Sequence, residues 1–142
     1  MILTRRSKPL PIIAPEGAAR CSCAAVVSGQ QHQLSAKALA CIQDAANTIF
    51  VSPATLWEIG IKDSLGKLTL PLPFDQLFPD RLDASNILIL PILVPHLHEH
   101  RRLPFHHSDP FDRLVIAQAL VEDLTLVSCD AEFAAYGMKL LW

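Results

Sequence analysis

No hydrophobic run in this sequence approaches the roughly 20 residues that a membrane-spanning helix requires. The longest candidate, Ile87 to Val94, is interrupted by Pro91 and is typical of a buried strand. The 4 cysteines form no C-x-x-C pair and no paired framework, so we expect reduced thiols in a cytoplasmic protein without membrane contact. No internal repeat is visible, and 142 residues fit one ordinary domain with a proper core.

The sequence also lacks an excess of positive charge. Its formal net charge of -2 argues against a protein that holds nucleic acid by a bulk positive field. A nuclease that uses bound cations and local basic side chains is still compatible with this charge. The basic start around Arg5 and Arg6 is followed by prolines, a glutamate and an arginine rather than an apolar core, so we do not expect a signal peptide.

The chain divides into two parts by pattern. Residues 1–33 are rich in Pro, Ala, Gly and Ser and have no sustained period, so we expect an irregular segment with at most short strands at Met1–Leu3 or Ala24–Val27. From residue 34 to 142, helical patterns alternate with short apolar strands. This alternation predicts a single α/β domain whose parallel sheet is covered by helices on both faces. Functional residues of such sheets gather at the carboxyl ends of the strands.

Three acidic residues occupy positions that two different roles could explain. Asp130 directly follows the strand "LTLVSC", where it would cap the next helical turn or stand at a functional edge. Asp109 and Asp112 begin the helix "PFDRLVIAQAL" and resemble a capping box that also complements the helix dipole. One acid is enough for capping, however, and Asp112 shares a helical stripe with Val115 and Ile116. A carboxylate on that apolar stripe is less expected than one at the cap.

Glu58 is the most informative acid. It lies in mid-helix on the stripe of Ala54 and Ile61 that should face the core, where a carboxylate is costly unless it is paired or binds a cation. The alternative is an i, i+4 pair with Lys62 on a partly exposed edge, which contributes about 0.2–0.5 kcal/mol. If Glu58, Asp112 and Asp130 meet at one sheet edge, their mutual repulsion favours Mg²⁺ or Mn²⁺, which bind oxygen ligands.

Three stretches of the chain resemble a known family. They are "SPATLWEIGIKDSLGKLTLP", "LPFHHSDPFDRLVIAQALVEDLTLVSCD" and "FAAYGMKLLW". Residues 34–142 thereby resemble the PIN-domain toxins of type II toxin–antitoxin modules, the VapC-like ribonucleases. The resemblance implies a three-layer α/β/α sandwich, an endoribonuclease dependent on Mg²⁺ or Mn²⁺, an RNA substrate, a cognate antitoxin and a homodimer.

The resemblance also implies roles for individual residues. Glu58, Asp112 and Asp130 match the second, third and fourth acids of the family, which are both metal ligands and catalytic residues. Asp109 is a neighbouring motif acid whose first role is capping and whose second is metal binding. The positions that we expect to contact RNA, beside these acids, are Lys62, Arg113 and His107.

The N-terminal part departs from the family pattern. Family members begin with a strand that ends in an aspartate, whereas no aspartate precedes Asp44 here, and Asp44 lies within the first regular helix. We therefore expect the first strand to be absent or disrupted, and the likeness that resumes abruptly near "HQLSAKAL" suggests a reading-frame disruption upstream. With one carboxylate fewer, we expect weaker cation binding and reduced or absent cleavage.

Two alternatives to the ribonuclease stay open. The first is a catalytically inactive PIN-like protein that binds an antitoxin or dimerises, which the missing aspartate favours. The second is a zinc module around His96 and His100, which share one helix face although the H-E-x-x-H signature fails. We assign Trp57 and Phe111 to the core rather than to base stacking.

Overall fold

Within the described residues, the sheet has five strands, and neighbouring strands are all parallel. The computed structural model describes residues 34–78 and 80–142 together with the backbone of residues 11–13. In chain order, the strands are β1 (Pro11–Ile13), β2 (Ile49–Val51), β3 (Ile87–Ile89), β4 (Thr125–Val127) and β5 (Lys139–Leu141). They are arranged in the order β3-β2-β1-β4-β5, and each neighbouring pair is parallel.

Helices connect these strands. They are α1 (Ala36–Gln43), α2 (Pro53–Ser64), α3 (Phe74–Leu77), α4 (Asp80–Ala84), α5 (Val94–Arg102), α6 (Pro110–Val121) and a 3-10 helix (Ala131–Tyr136). Ser35 and Ser52 accept backbone hydrogen bonds from α1 and α2, as their cap positions predict. Within the described ranges, no helix combines the length and apolar character needed to cross a membrane.

Side chains on the two faces of the sheet enter two separate cores. Phe50 of β2 packs in a cluster with α6 residues such as Val115 and Ile116, whereas Ile49 and Val51 pack in a second cluster built from α2, α3 and α4. Successive strand residues point to opposite faces, so one strand supplies both cores. The predicted α/β architecture with helices on both faces of a parallel sheet is confirmed.

The expectation that the first strand is absent or disrupted is wrong. β1 lies within the segment that we expected to be irregular, and it forms the centre of the sheet between β2 and β4. Its three residues are too few to reveal a period, and Pro11 occupies the first strand position, where a missing N–H is tolerated. The strands suggested at Met1–Leu3 and Ala24–Val27 lie outside the described residues. A domain boundary at residue 34 stays a prediction.

Two other sequence-based expectations need correction. The apolar segment after Asn86 is not fully buried, because β3 is an edge strand whose Leu88 and Ile89 are 49% and 48% exposed. The predicted helix "FDQLFPDRLDAS" is divided into α3 and α4. Phe78 between them is extended, with φ -119° and ψ 130°, because a residue that precedes proline is disfavoured in the helical region.

Candidate metal centre

Asp109 caps α6, as the sequence predicts. Its Oδ1 accepts hydrogen bonds from the backbone N–H groups of Phe111 at 2.8 Å and Asp112 at 3.5 Å. Pro110 takes the first helical position, where it needs no hydrogen-bond partner. Asp112 is then carried into the interior on the first turn and is only 3% exposed. Capping is therefore done by Asp109, and the burial of Asp112 needs another explanation.

Asp130 has two roles, one for each carboxylate oxygen. Oδ1 accepts the backbone N–H of Glu132 at 2.8 Å and so caps the 3-10 helix. Oδ2 lies 3.5 Å from Nε2 of His107. The residue follows β4, so it stands at the carboxyl edge of the sheet, beside the central strand β1. The local capping role predicted for Asp130 is confirmed, and it leaves one oxygen directed to the neighbouring acids.

His107 joins the buried Asp112 and the partly buried Asp130 at this edge. Its Nε2 lies 3.5 Å from Oδ2 of Asp112, 3.5 Å from Oδ2 of Asp130 and 3.9 Å from Oε2 of Glu132. The Oδ2 atoms of Asp112 and Asp130 therefore lie around the same nitrogen atom. Nδ1 of His107 accepts the backbone N–H of Asp109 at 3.3 Å, which places the ring proton of the neutral form on Nε2. That proton faces three carboxylates.

Glu58 is buried, 8% exposed, and its Oε1 lies 2.5 Å from Nζ of Lys62. Among the described residues, Oε2 has no hydrogen-bond partner. Burial raises the pKa of the Glu58 carboxyl above its ordinary value; the hydrogen bond and charge of Lys62 oppose the shift, and the negative charge of Asp109 adds to it. The pairing with Lys62 is the alternative that the sequence suggested; the Lys62 side chain is 28% exposed, so the pair lies at a partly exposed edge although the Glu58 carboxylate is buried.

The α2 and α6 helices meet at their acidic positions. The rings of Trp57 and Phe111, each one residue before an acid, lie 5.1 Å apart at an interplanar angle of 85°. The structure thus brings Asp112 and Asp130 together through His107, and places Glu58 within electrostatic reach of Asp109 at the start of the same helix.

Arg113 occupies a buried structural position, and its expected contact with RNA stays a prediction. It is 3% exposed, and its guanidinium donates to the backbone oxygens of Pro104 at 2.7 Å and Leu103 at 3.0 Å. It also lies within 3.5 Å of the backbone oxygens of His100 and His107. A planar group with five donors is suited to gathering carbonyls in this way. Arg113 therefore cross-links backbone carbonyls of the segment between α5 and α6, the segment that carries His107.

The other two predicted RNA contacts have different surroundings. Nζ of Lys62 lies against Glu58, and the Lys62 side chain is 28% exposed, so it combines an acidic partner with access to solvent. His107 is only 14% exposed at its side chain and faces the acids, which indicates a role in positioning carboxylates. RNA contact by Lys62 and by His107 stays a prediction.

The alternative zinc arrangement is not supported by the surroundings of its histidines. His96 is fully buried; its Nδ1 accepts the backbone N–H of Leu93 at 3.0 Å and its Nε2 lies 3.0 Å from Oε1 of Glu122. Both ring nitrogens are therefore engaged in the fold. Desolvation lowers the pKa of His100, and the nearby charge of Arg113 lowers it further, while a hydrogen bond with the backbone of Pro110 opposes both.

Glu132 and Tyr136 are site residues that sequence reasoning missed. Ligand atoms of His107, Asp130 and Glu132 all lie within 4.8 Å of one another, close enough for one metal ion. The hydroxyl of Tyr136 accepts the backbone N–H of His107 at 2.8 Å. The only sequence signal was the position of Glu132, two residues after Asp130 at the start of a helical turn.

A hard divalent cation fits this group of residues. Carboxylate oxygens are the ligands that Mg²⁺ and Mn²⁺ prefer, and Glu58, on the neighbouring helix α2, has a buried oxygen without a partner within the described part of the chain. Without a cation, the negative charges of Asp112, Asp130 and Glu132 converge on one histidine nitrogen.

Comparison with known proteins identifies the family of the chain. Over 64 residues the chain is 42% identical to Ribonuclease VapC16 of Mycobacterium tuberculosis (strain ATCC 25618 / H37Rv), a match that spans 44% of this chain and 44% of that protein. The crystal structure of FitAcB from Neisseria gonorrhoeae is similar with a TM-score of 0.48 and 18% identity, covering 67% of this chain and 75% of that chain. The model of the PIN domain matches residues 23–139, most of the sequence, and the chain therefore belongs to the PIN domain family.

Proposed function

We propose that this chain is an endoribonuclease dependent on Mg²⁺ or Mn²⁺ and acts in the cytoplasm as the toxin of a type II toxin–antitoxin pair. The observation that carries the proposal is the meeting of Asp112 and Asp130 at one nitrogen of His107. Two carboxylates are held this close, at the carboxyl edge of a parallel sheet, at a cost that a bound cation would offset. The similarity to a ribonuclease of the VapC type supports the choice of RNA as substrate.

The proposed ligands are Glu58, Asp112 and Asp130, with Glu132 as an additional carboxylate and Asp109 as a neighbouring one. A bound cation supplies a water molecule of lowered pKa and neutralises charge on the phosphoryl group. The chain's own side chains orient this site: His107 holds Asp112 and Asp130, and Lys62 holds Oε1 of Glu58 so that Oε2 is left for a ligand. The ammonium of Lys62 would also attract the phosphate backbone of RNA.

The proposed activity is low. The residues that follow β1 in the sequence are Ala14, Pro15 and Glu16, so the aspartate expected after the first strand is missing. Three family acids offer a cation less negative charge than four would, and Glu132 restores part of that charge. We expect Mn²⁺ binding and RNA cleavage that are measurable but weak.

The test is cleavage of a labelled single-stranded RNA in Mn²⁺ or in EDTA. We expect slow cleavage in Mn²⁺ that is lost in EDTA and in the variants Glu58→Gln, Asp112→Asn and Asp130→Asn. The matched control is Asp83→Asn on α4, an exposed acid that lies outside the site. Cleavage that persists in EDTA, or that survives Glu58→Gln, contradicts the proposal.

The second candidate function is an inactive PIN domain protein that binds an antitoxin or a second copy of itself. The missing aspartate favours it, and so does the apolar surface of the edge strand β3, where Leu88 and Ile89 are each about half exposed. This function predicts no cleavage in Mn²⁺ together with a stable complex when the chain is co-expressed with the product of a neighbouring small open reading frame. Cleavage that depends on Glu58 rules it out.

A further inference from the structure

Trp57 is the largest exposed aromatic side chain beside the carboxylates. The sequence predicted it in the core, but 65% of its surface is exposed, whereas the next residue, Glu58, is buried. Its ring lies edge-on to Phe111, with centroids 5.1 Å apart, and Phe111 precedes Asp112 at the start of α6. The indole therefore stands at the junction of the two helices that carry proposed metal ligands, and most of it is accessible.

The net charge of the protein bears on the role of the exposed Trp57 ring. A net charge of -2 supplies no bulk attraction for a polyanion, and the ammonium of Lys62 lies on the carboxylate of Glu58. Affinity for a nucleic acid must then come in part from contacts that do not depend on charge. Stacking of a base on an aromatic ring is such a contact, and any base can make it because every base has a π face.

Other exposed apolar residues are less suited to this contact. Phe105 is 86% exposed, but the Arg113 guanidinium lies 4.0 Å from its ring centroid and occupies one face. Leu65, at the end of α2, is 61% exposed but is aliphatic and offers no π face. Trp57 alone combines, within the described residues, a large exposed ring with a position next to a buried proposed ligand.

We infer that Trp57 is a stacking platform for one base of single-stranded RNA, next to the phosphate that the carboxylate site receives. The inference rests on the proposed function and adds a substrate-binding residue to it. A base held on the indole would place its neighbouring phosphate at the junction of α2 and α6, where Glu58 and Asp112 lie. Stacking tolerates any base, so this contact supplies affinity and register rather than sequence choice.

Binding of RNA without cleavage tests the inference. The full chain is used in EDTA, and its affinity is measured for a single-stranded RNA and for an oligonucleotide of the same length with an abasic backbone. We expect Trp57→Ala to weaken binding of the base-bearing RNA by roughly 5- to 150-fold and to leave abasic binding nearly unchanged. Trp57→Phe, which keeps a ring, should recover part of the affinity. Leu65→Ala is the matched control for loss of an exposed apolar side chain on the same helix and should bind as the wild type does.

Fluorescence gives a second readout. The protein has 2 tryptophans, Trp57 and Trp142, so Trp142→Phe leaves Trp57 as the only indole. RNA should quench its emission, and the abasic oligonucleotide should not.

Equal affinities of Trp57→Ala and Leu65→Ala, or an equal loss for both oligonucleotides, overturn the inference, while cleavage by the wild type would still support the proposed function. A Trp57 that is quenched by a co-expressed protein partner but not by RNA also overturns it. Failure of the wild type both to bind and to cleave RNA overturns both.

Discussion

Nζ of Lys62 lies 2.5 Å from Oε1 of Glu58, yet the pKa of this carboxyl is still raised. Desolvation is the largest cause, and the favourable hydrogen bond and charge of Lys62 only reduce its effect. The pairing of a buried carboxylate with one ammonium does not repay the removal of that carboxylate from water unless further bonds complete it. The second oxygen of Glu58 lacks such a bond among the described residues. The desolvation of Glu58 therefore destabilises the metal-free protein, and a cation bound to the second oxygen would reduce this destabilisation.

Glu58→Gln should stabilise the metal-free protein at neutral pH. The pKa of Glu58 is higher in the folded state than its ordinary value of 4.5, so the unfolded chain loses this proton first as the pH rises. The wild type consequently loses stability from about pH 4.5 up to the folded pKa, and the loss then stays constant. The glutamine variant has no such loss. Thermal unfolding in EDTA across this range measures the difference.

The low-pH limit is an internal control for that experiment. Below the ordinary carboxyl range the Glu58 side chain is neutral in both states, so the two melting curves should nearly coincide. Saturating Mn²⁺ at neutral pH should stabilise the wild type more than Glu58→Gln, because only the wild type keeps the charged ligand. A variant that is less stable than the wild type in EDTA at pH 7 would mean that the Lys62 pair outweighs the cost of burial.

His107→Ala should destabilise the protein mainly when no cation is present. The ring nitrogen lies 3.5 Å from both Asp112 and Asp130, so its loss leaves two carboxylates facing each other. We expect a cost of about 1 kcal/mol in EDTA, below the usual range for hydrogen bonds to charged groups because the distances are long. Mn²⁺ should remove most of the difference. His106→Ala is the matched control, since His106 also packs edge-on against an aromatic ring but is exposed.

Equal melting temperatures of His107→Ala and wild type in EDTA would argue that the two aspartates do not depend on the histidine. A loss of stability that Mn²⁺ does not reverse would assign His107 to packing against Phe133 instead, whose ring centroid lies 5.4 Å away.

Glu132→Gln should weaken cation binding without changing the fold. The Glu132 side chain is 67% exposed and its oxygen lies 3.9 Å from His107, next to the oxygen of Asp130. Because one family acid is missing, an additional carboxylate should matter more here, and we expect about a 10-fold loss of Mn²⁺ affinity. Calorimetric titration with Mn²⁺ alone measures it, with Asp83→Asn as the control. An unchanged affinity would remove Glu132 from the proposed ligands.

The features that the sequence predicted well are those governed by local chemistry. The caps at Ser52, Asp109 and Asp130 follow from short-range hydrogen bonds, and all three are present. The burial of Asp112 follows from its position on an apolar helical stripe. These properties depend on neighbours within one or two turns, which a single sequence contains.

The features that the sequence missed depend on distant segments. β1 is recognisable only through its pairing with β2 and β4, because three residues beginning with Pro11 carry no period. The exposure of Trp57 depends on which helices cover α2, and the helical pattern does not specify that. The partners of Arg113 are carbonyls of residues 100–107, which only the fold brings around it.

Arg113→Lys distinguishes the structural role of Arg113 from the RNA contact that the sequence predicted. A lysine ammonium cannot reach the carbonyls of Leu103 and Pro104 in the planar arrangement of a guanidinium, so buried acceptors lose their donors. We expect the free energy of unfolding in urea to fall by about 2–4 kcal/mol. Arg102→Lys, at a 64% exposed side chain, is the control and should change stability little. If instead the Arg113 variant unfolds like the wild type but binds RNA more weakly, the guanidinium acts on substrate rather than on the fold.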